Sequence, residues 1–184
     1  MRLRFPTVRD LLASFPSAEM EVGEDPSGED SVRFVRRCIS EERLDAAISY
    51  CAYLLARRET VWWACRSVRD VRDLSASERE CVALAHDWVM KPDEAQRLKA
   101  LERGLKTNAK LSGTWVALAA GWSGGSIAGV GPPVPPPPHA TPQAVRVALL
   151  SGASRLASPE RPAIMNAWIQ TALRCLETGV EFGR

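Results

Sequence analysis

Apolar residues along this chain recur every three or four positions through most of its length, and the strict alternation of a half-buried strand is nearly absent, so the pattern predicts helices. Thr7 is placed to cap a first short helix that runs to Phe15 and is stopped by Pro16. Residues 17–30 are acidic, contain Gly, Pro and Ser, and read as a mobile loop. Asp30 or Ser31 then starts a helix to about Cys38, with Val32, Phe34 and Val35 as its apolar positions. Ser40, followed by Glu41 and Glu42, reads as the cap of the next helix, in which Leu44, Ala47, Ile48, Cys51 and Leu55 share a face. A break near residues 55–58 leads into a helix over 57–71 carrying Val61, Ala64, Cys65 and Val68, so these two segments form an expected hairpin.

The clearest start signal is at Ser75, where two overlapping Ser-x-x-Glu boxes precede a helix over 76–90 that buries Val82, Ala85, Trp88 and Val89. Pro92 ends it and opens another to about Lys106. A further helix is expected over 109–121. Thr141 and Pro142 read as a cap and a first-turn proline for a helix to about Leu156, with Val145, Ala148 and Leu149 facing inward. The last helix is expected over 162–178, ending at Gly179. Many of the hairpins span roughly 30–35 residues, the length of helical repeats, but they do not align into one. The expected fold is therefore all-α, an irregular array of about eight helices in antiparallel hairpins. Residues 1–30 form an N-terminal helix and acidic loop, and residues 31–184 a single helical domain.

One segment breaks the helical pattern. Of the thirteen prolines, six lie between Pro132 and Pro138. Proline lacks the backbone N–H and fixes φ near −65°, so this run is neither helix nor central strand but a polyproline II rod. Three readings are open for it: an ordered strap over residues 123–141, a ligand for an external groove, or a loose linker. The strap is the favoured expectation, because the chain also holds six tryptophans. Trp62 or Trp63, with Tyr50 or Tyr53 from the facing helix, would then cradle Pro133 to Pro137.

The chain has 184 residues, 46% hydrophobic and 25% charged, which is the composition of a globular domain. Its formal charge of +2 gives no general electrostatic reason to expect nucleic acid. The five cysteines are odd in number, form no Cys-x-x-Cys and fall mostly on apolar helix faces, as expected of free thiols in a reducing, cytoplasmic compartment. The N-terminus lacks the apolar stretch of a signal peptide, and the weakly polar run over 114–127 is too short to span a bilayer. No membrane association is expected.

Candidate chemistry is sparse. The densest motif is residues 57–66, where Arg58, Glu59, Trp62, Trp63 and Arg66 share about two and a half turns of helix. Adjacent tryptophans point about 100° apart, so one is expected in the core and the other against a neighbouring helix or groove. Glu59 and Arg66 stand one turn either side of the indoles, at the spacing of an ion pair or an Arg–indole contact. Trp and Arg are also the residues of protein-binding hot spots, although a tryptophan-anchored hairpin explains the motif as well. His86 and His139 have no partner at metal-ligand spacing, so neither a metal nor a cofactor is expected. His139 ends the proline rod, where a local hydrogen bond is its expected use. The glycine-rich stretches 123–126 and 129–131 lack the Lys-Ser/Thr of a phosphate loop. Arg33, Arg36 and Arg37, with Arg57, Arg58, Arg66, Arg69 and Arg72, form either a solvated charge face or a surface for an anionic partner, unless the acidic loop covers them.

Residues 54–65, with their Arg-Arg-Glu-x-x-Trp-Trp core, and residues 132–145, a proline run ending in His, together resemble a small bacterial family of unknown function. The resemblance spans about Glu41 to Thr178. Members of that family resemble accessory proteins encoded beside type VI secretion genes, near spike, tip and effector-loading proteins. The resemblance implies a non-enzymatic interaction protein, an adaptor or chaperone-like factor for effector or spike-tip loading, and supplies no catalytic residue. Its partner would be a secretion effector, a spike or a tip-loading protein. The contact residues would be Arg58, Glu59, Trp62, Trp63 and Arg66, with Pro133, Pro136 and His139. The alternative is a scaffolding or regulatory module that presents its proline rod to a signalling-type domain.

Overall fold

The helical periodicity becomes ten α-helices among the residues described by the computed structural model, which are 3–23, 26–127, 132–180 and 182. They are α1 (Val8–Ser14), α2 (Ala18–Val22), α3 (Ser31–Ser40), α4 (Leu44–Leu54), α5 (Arg57–Val68), α6 (Ala76–Met90), α7 (Glu94–Leu105), α8 (Ser112–Gly121), α9 (Ala140–Ser154) and α10 (Arg161–Thr178). The fold is all-α. The one β-type contact among the described residues is an isolated antiparallel bridge between Thr7 and Asp30.

Several starts follow from local capping alone. The Thr7 hydroxyl accepts from the Asp10 N–H while the Asp10 carboxylate accepts from the Thr7 N–H. The Ser75–Glu78 box does the same for α6, and Gly179 stops α10 at φ 74°. Such reciprocal bonds satisfy amides that a helix end otherwise leaves bare.

Two helices form the centre. In α4 every residue from Ala47 to Leu54 is buried, and in α8 every residue except Trp115 is. A helix apolar on all sides belongs inside a shell of other helices. Around α8 lie α6, α7 and α9, and α9 also packs on both α4 and α5. The crossing of α8 with α6 is close: a Cβ on Gly113 would come 2.8 Å from the Glu78 Cα. Only glycine fits there. One hydrophobic core runs through the described residues from Phe5 to Cys175.

Three local expectations are corrected. The loop expected over 17–30 contains α2, whose Ala18 and Val22 are buried one turn apart. Its Glu21 carboxylate accepts from the Tyr53 hydroxyl at 2.7 Å and the Gln143 amide at 2.9 Å. A five-residue helix has no stability of its own, so contacts with α4 and α9 decide it. Ser40 does not cap α4. It closes α3, its hydroxyl donating to the Arg37 carbonyl, and the chain turns through Glu42 at φ 58° before α4 begins. Thr141 does not cap α9 either. The helix begins at Ala140, and the Thr141 hydroxyl donates instead to the Ala119 carbonyl of α8 at 3.3 Å.

Candidate functional site

The Arg-Arg-Glu-x-x-Trp-Trp motif occupies the first half of α5, and most of it is used within the chain. The Glu59 carboxylate accepts from the Ala56 N–H at 3.3 Å and so closes the helix start. Arg58 donates to the Val89 carbonyl at 2.7 Å and the Met90 carbonyl at 3.4 Å, satisfying the end of α6. Its guanidinium also lies 3.8 Å from the centre of the Phe182 ring. Trp63 is 0% exposed, and its indole N–H donates to the Trp168 carbonyl at 2.8 Å. A buried indole needs such a partner, and here it joins α5 to α10. Trp62 is half-buried, with the Arg66 guanidinium 5.9 Å from its ring, and Arg66 is exposed. Of these five residues, Arg58, Glu59 and Trp63 therefore hold the fold together, and Trp62 and Arg66 reach the surface.

The proline run follows the C-terminal end of α8. Arg97 of α7 is only 3% exposed, and it donates to the Gly121 carbonyl and, at 3.1 Å, to the Ser126 carbonyl. Glu94 balances its charge at 2.6 Å. Gly125, at φ 61°, lies directly against this guanidinium, since a Cβ there would come 2.6 Å from Nη2. Beyond it the chain forms a narrow neck. The Ile127 N–H donates to the Val134 carbonyl at 2.8 Å, and the Val134 N–H donates to the Ser126 hydroxyl at 3.0 Å. Residues 129–131, the second glycine-rich stretch, lie outside the described residues.

Above this neck Pro132, Pro133, Pro135, Pro137 and Pro138 are exposed, and Val134 is 47% exposed. Pro136 and His139 are half-buried. They share a shallow apolar cleft of about 230 Å³ with Trp122, Ile127, Pro137 and Gln143. Trp122 in turn stands edge-on to Trp115, with ring centres 6.2 Å apart.

Three of the four aromatics expected to cradle the run are taken up in the core instead. Trp63 is sealed in the core, the Tyr50 hydroxyl is bonded to Ser31 at 2.7 Å, and Tyr53 is held by Glu21. The aromatic beside the run is Trp122, which the sequence reading did not single out. A signal for it existed: Trp122 immediately precedes the segment, and short loops close on nearby residues at least entropic cost. His139 occupies the cap position of α9, but its side chain makes no capping bond.

The titratable groups elsewhere are mostly tied into the structure. Arg37 pairs with Glu29 at 2.9 Å, Arg36 with Glu177 at 3.4 Å and Arg72 with Glu160 at 3.1 Å. All five cysteines are buried thiols outside any disulfide. Burial pushes the Cys65 thiol up to about 12 and the Cys175 thiol to about 11, so the reactive thiolate is scarce at neutral pH. Among the described residues no three His, Cys, Asp or Glu side chains gather to hold a metal ion. No helix among them is long and apolar enough to cross a membrane.

The profile of the DUF6931 family, a family of unknown function, matches residues 34–176. The chain belongs to this family. The matched region opens within α3 and closes within α10, so it includes both the α5 motif and the proline run. It leaves out α1 and α2, although Phe5, Leu11, Phe15 and Val22 pack into the same core. No curated protein and no solved structure matches the chain.

Proposed function

We propose that this chain is a non-enzymatic interaction protein whose proline run, with the Trp122 cleft beside it, is the contact surface for a protein partner. The observation that carries the reading is the outward-facing run from Pro132 to Pro138, anchored at its base by Arg97. A stiff, exposed polyproline segment loses little entropy on docking, and its solvent-facing carbonyls are ready acceptors. The neighbouring indole adds a rigid apolar anchor of the kind that dominates binding energy.

The specific role we propose is that of an accessory or adaptor in a bacterial type VI secretion system, acting in the cytoplasm during effector or spike-tip loading. That part is supported by the resemblance of the α5 motif and the proline run to accessory proteins of such systems. The exposure of the run favours a second reading too, a scaffolding module that offers the rod to a signalling-type domain. An affinity capture from the native bacterium separates the two. The full chain should retain a spike, tip or effector protein, and Val134→Asp combined with Pro136→Ala should lose it. Retention of only an aromatic-groove signalling domain would replace the first reading with the second. Equal capture by the wild type and the variant would remove the proline run from either.

A further inference from the structure

A separate cleft lies at the other end of α5. Arg57, at the start of that helix, donates to the Ser123 carbonyl at 3.0 Å, below the proline run. Arg66 and Arg69 lie nine and twelve residues further on, about 14–18 Å away along the axis. There α5 runs antiparallel to α10. Trp63 and Asp70 both meet Trp168, and Arg72, just beyond α5, pairs with Glu160, just before α10. Between the two helices is an open groove of about 630 Å³, with Arg66 and Arg69 on one wall and Arg174 on the other.

The charges in this groove are unbalanced. None of the three guanidiniums has an acidic partner among the described residues. The one carboxylate in the groove, Asp70, accepts from the Trp168 indole N–H at 2.8 Å and makes no ion pair with them. The surface on either side is arranged differently, since Arg72 pairs with Glu160 near the start of α10 and Arg36 with Glu177 near its end. Position at the end of α5 favours a cation at Arg66. It does not account for Arg174 facing it across the groove, where like charges repel in the free protein.

We propose that this groove binds a short acidic segment of a protein partner, the guanidiniums pairing with successive Asp or Glu carboxylates. Guanidinium forks match carboxylates in geometry and give short, charge-assisted bonds. The arginines are spread along an open groove rather than converging on one point, which suits an extended chain better than a single small anion. Gln170 lines the groove between them, and the Thr171 hydroxyl, which donates to the Ala167 carbonyl at 3.0 Å, holds the Arg174 guanidinium at 2.8 Å. A nucleic acid is less suited, because the chain carries only +2 overall and its other arginines are largely engaged. The site is distinct from the proline face and does not depend on the function proposed for it.

The test is fluorescence anisotropy of the full-length protein with a labelled peptide of six glutamates, at 50 and 200 mM salt. Expected is saturable binding that weakens with salt, is absent for a six-glutamine peptide, and falls about tenfold in Arg66→Glu and in Arg174→Glu. The milder Arg66→Gln and Arg174→Gln, which remove charge without reversing it, should weaken it about threefold. Arg33→Glu, an exposed arginine outside the groove, and Pro133→Ala should leave the affinity unchanged. Melting curves of all variants should superimpose, since the three arginines are exposed. Equal loss in Arg33→Glu, no saturable binding, or tighter binding to a ten-nucleotide single strand or to vesicles rich in phosphatidylserine would overturn the proposal.

Discussion

Helix α5 and the proline run both concentrate residues suited to binding proteins, and the chain treats them in opposite ways. Within α5 the Trp63 indole, the Arg58 guanidinium and the Glu59 carboxylate each have a partner inside the chain. In the run, Pro132, Pro133 and Pro135 face outward, and the contacts that hold the segment come from its base, at Arg97, Ser126 and Trp122. The difference lies in what each side chain needs. An indole buries a large apolar area and then requires one acceptor for its N–H, which a neighbouring helix supplies. A run of prolines has no N–H to donate and leaves its carbonyls to water, so burying it would strand acceptors. The same composition argument that placed both segments among binding elements therefore separates them once hydrogen bonds are counted.

The sharpest way to break this comparison is to remove the Trp63 side chain. Trp63→Ala should cost about 3–5 kcal/mol, seen as a large fall in the denaturation midpoint, while Trp62→Ala should cost under about 1 kcal/mol. Equal losses would show that burial does not divide the pair.

A middle-sized effect is expected from Glu78, which is 0% exposed and makes bonds to Ser112 at 3.1 Å and Arg155 at 2.6 Å. Burial raises its carboxyl, but the Ser75 N–H, the Arg155 guanidinium and the Ser75 hydroxyl outweigh this and hold it below its ordinary value of 4.5. A carboxyl depressed in the folded state adds stability above its unfolded value, and that stability is lost as pH falls through the folded one. Glu78→Gln should therefore flatten the acid limb of the stability curve below about pH 5 and cost about 2–3 kcal/mol at neutral pH. An unchanged acid limb would remove Glu78 from the account.

The smallest effect sharpens the other side of the comparison. Pro133→Ala and Pro135→Ala should change stability by under about 0.5 kcal/mol, as exposed positions do. A loss of 2 kcal/mol or more, on the order of a core substitution, would mean that the run braces the domain after all.

Much of the fold was legible because it rests on local rules. The α6 start at Ser75, the α10 stop at Gly179 and the apolar stripes of α5 and α9 each follow from residues a turn or two apart. The helix α2 was not legible, because five residues carry too little periodicity and their order comes from Tyr53 and Gln143, distant in sequence. The same reason hid the cap of α9, where Thr141 spends its hydroxyl on α8. Of the candidate surface, the proline run and the α5 motif stood out by composition, but their partners did not.

By itself the sequence determined that this protein is all-helical and that an exceptional proline run interrupts its helices, since backbone chemistry within a few residues dictates both. Tertiary structure alone decided which tryptophan is sealed against α10, which one stands beside the proline run, and which arginines are left without acids among the described residues. Those outcomes depend on which helix faces meet across the core, and that is set by the packing of the whole chain rather than by any one segment of it.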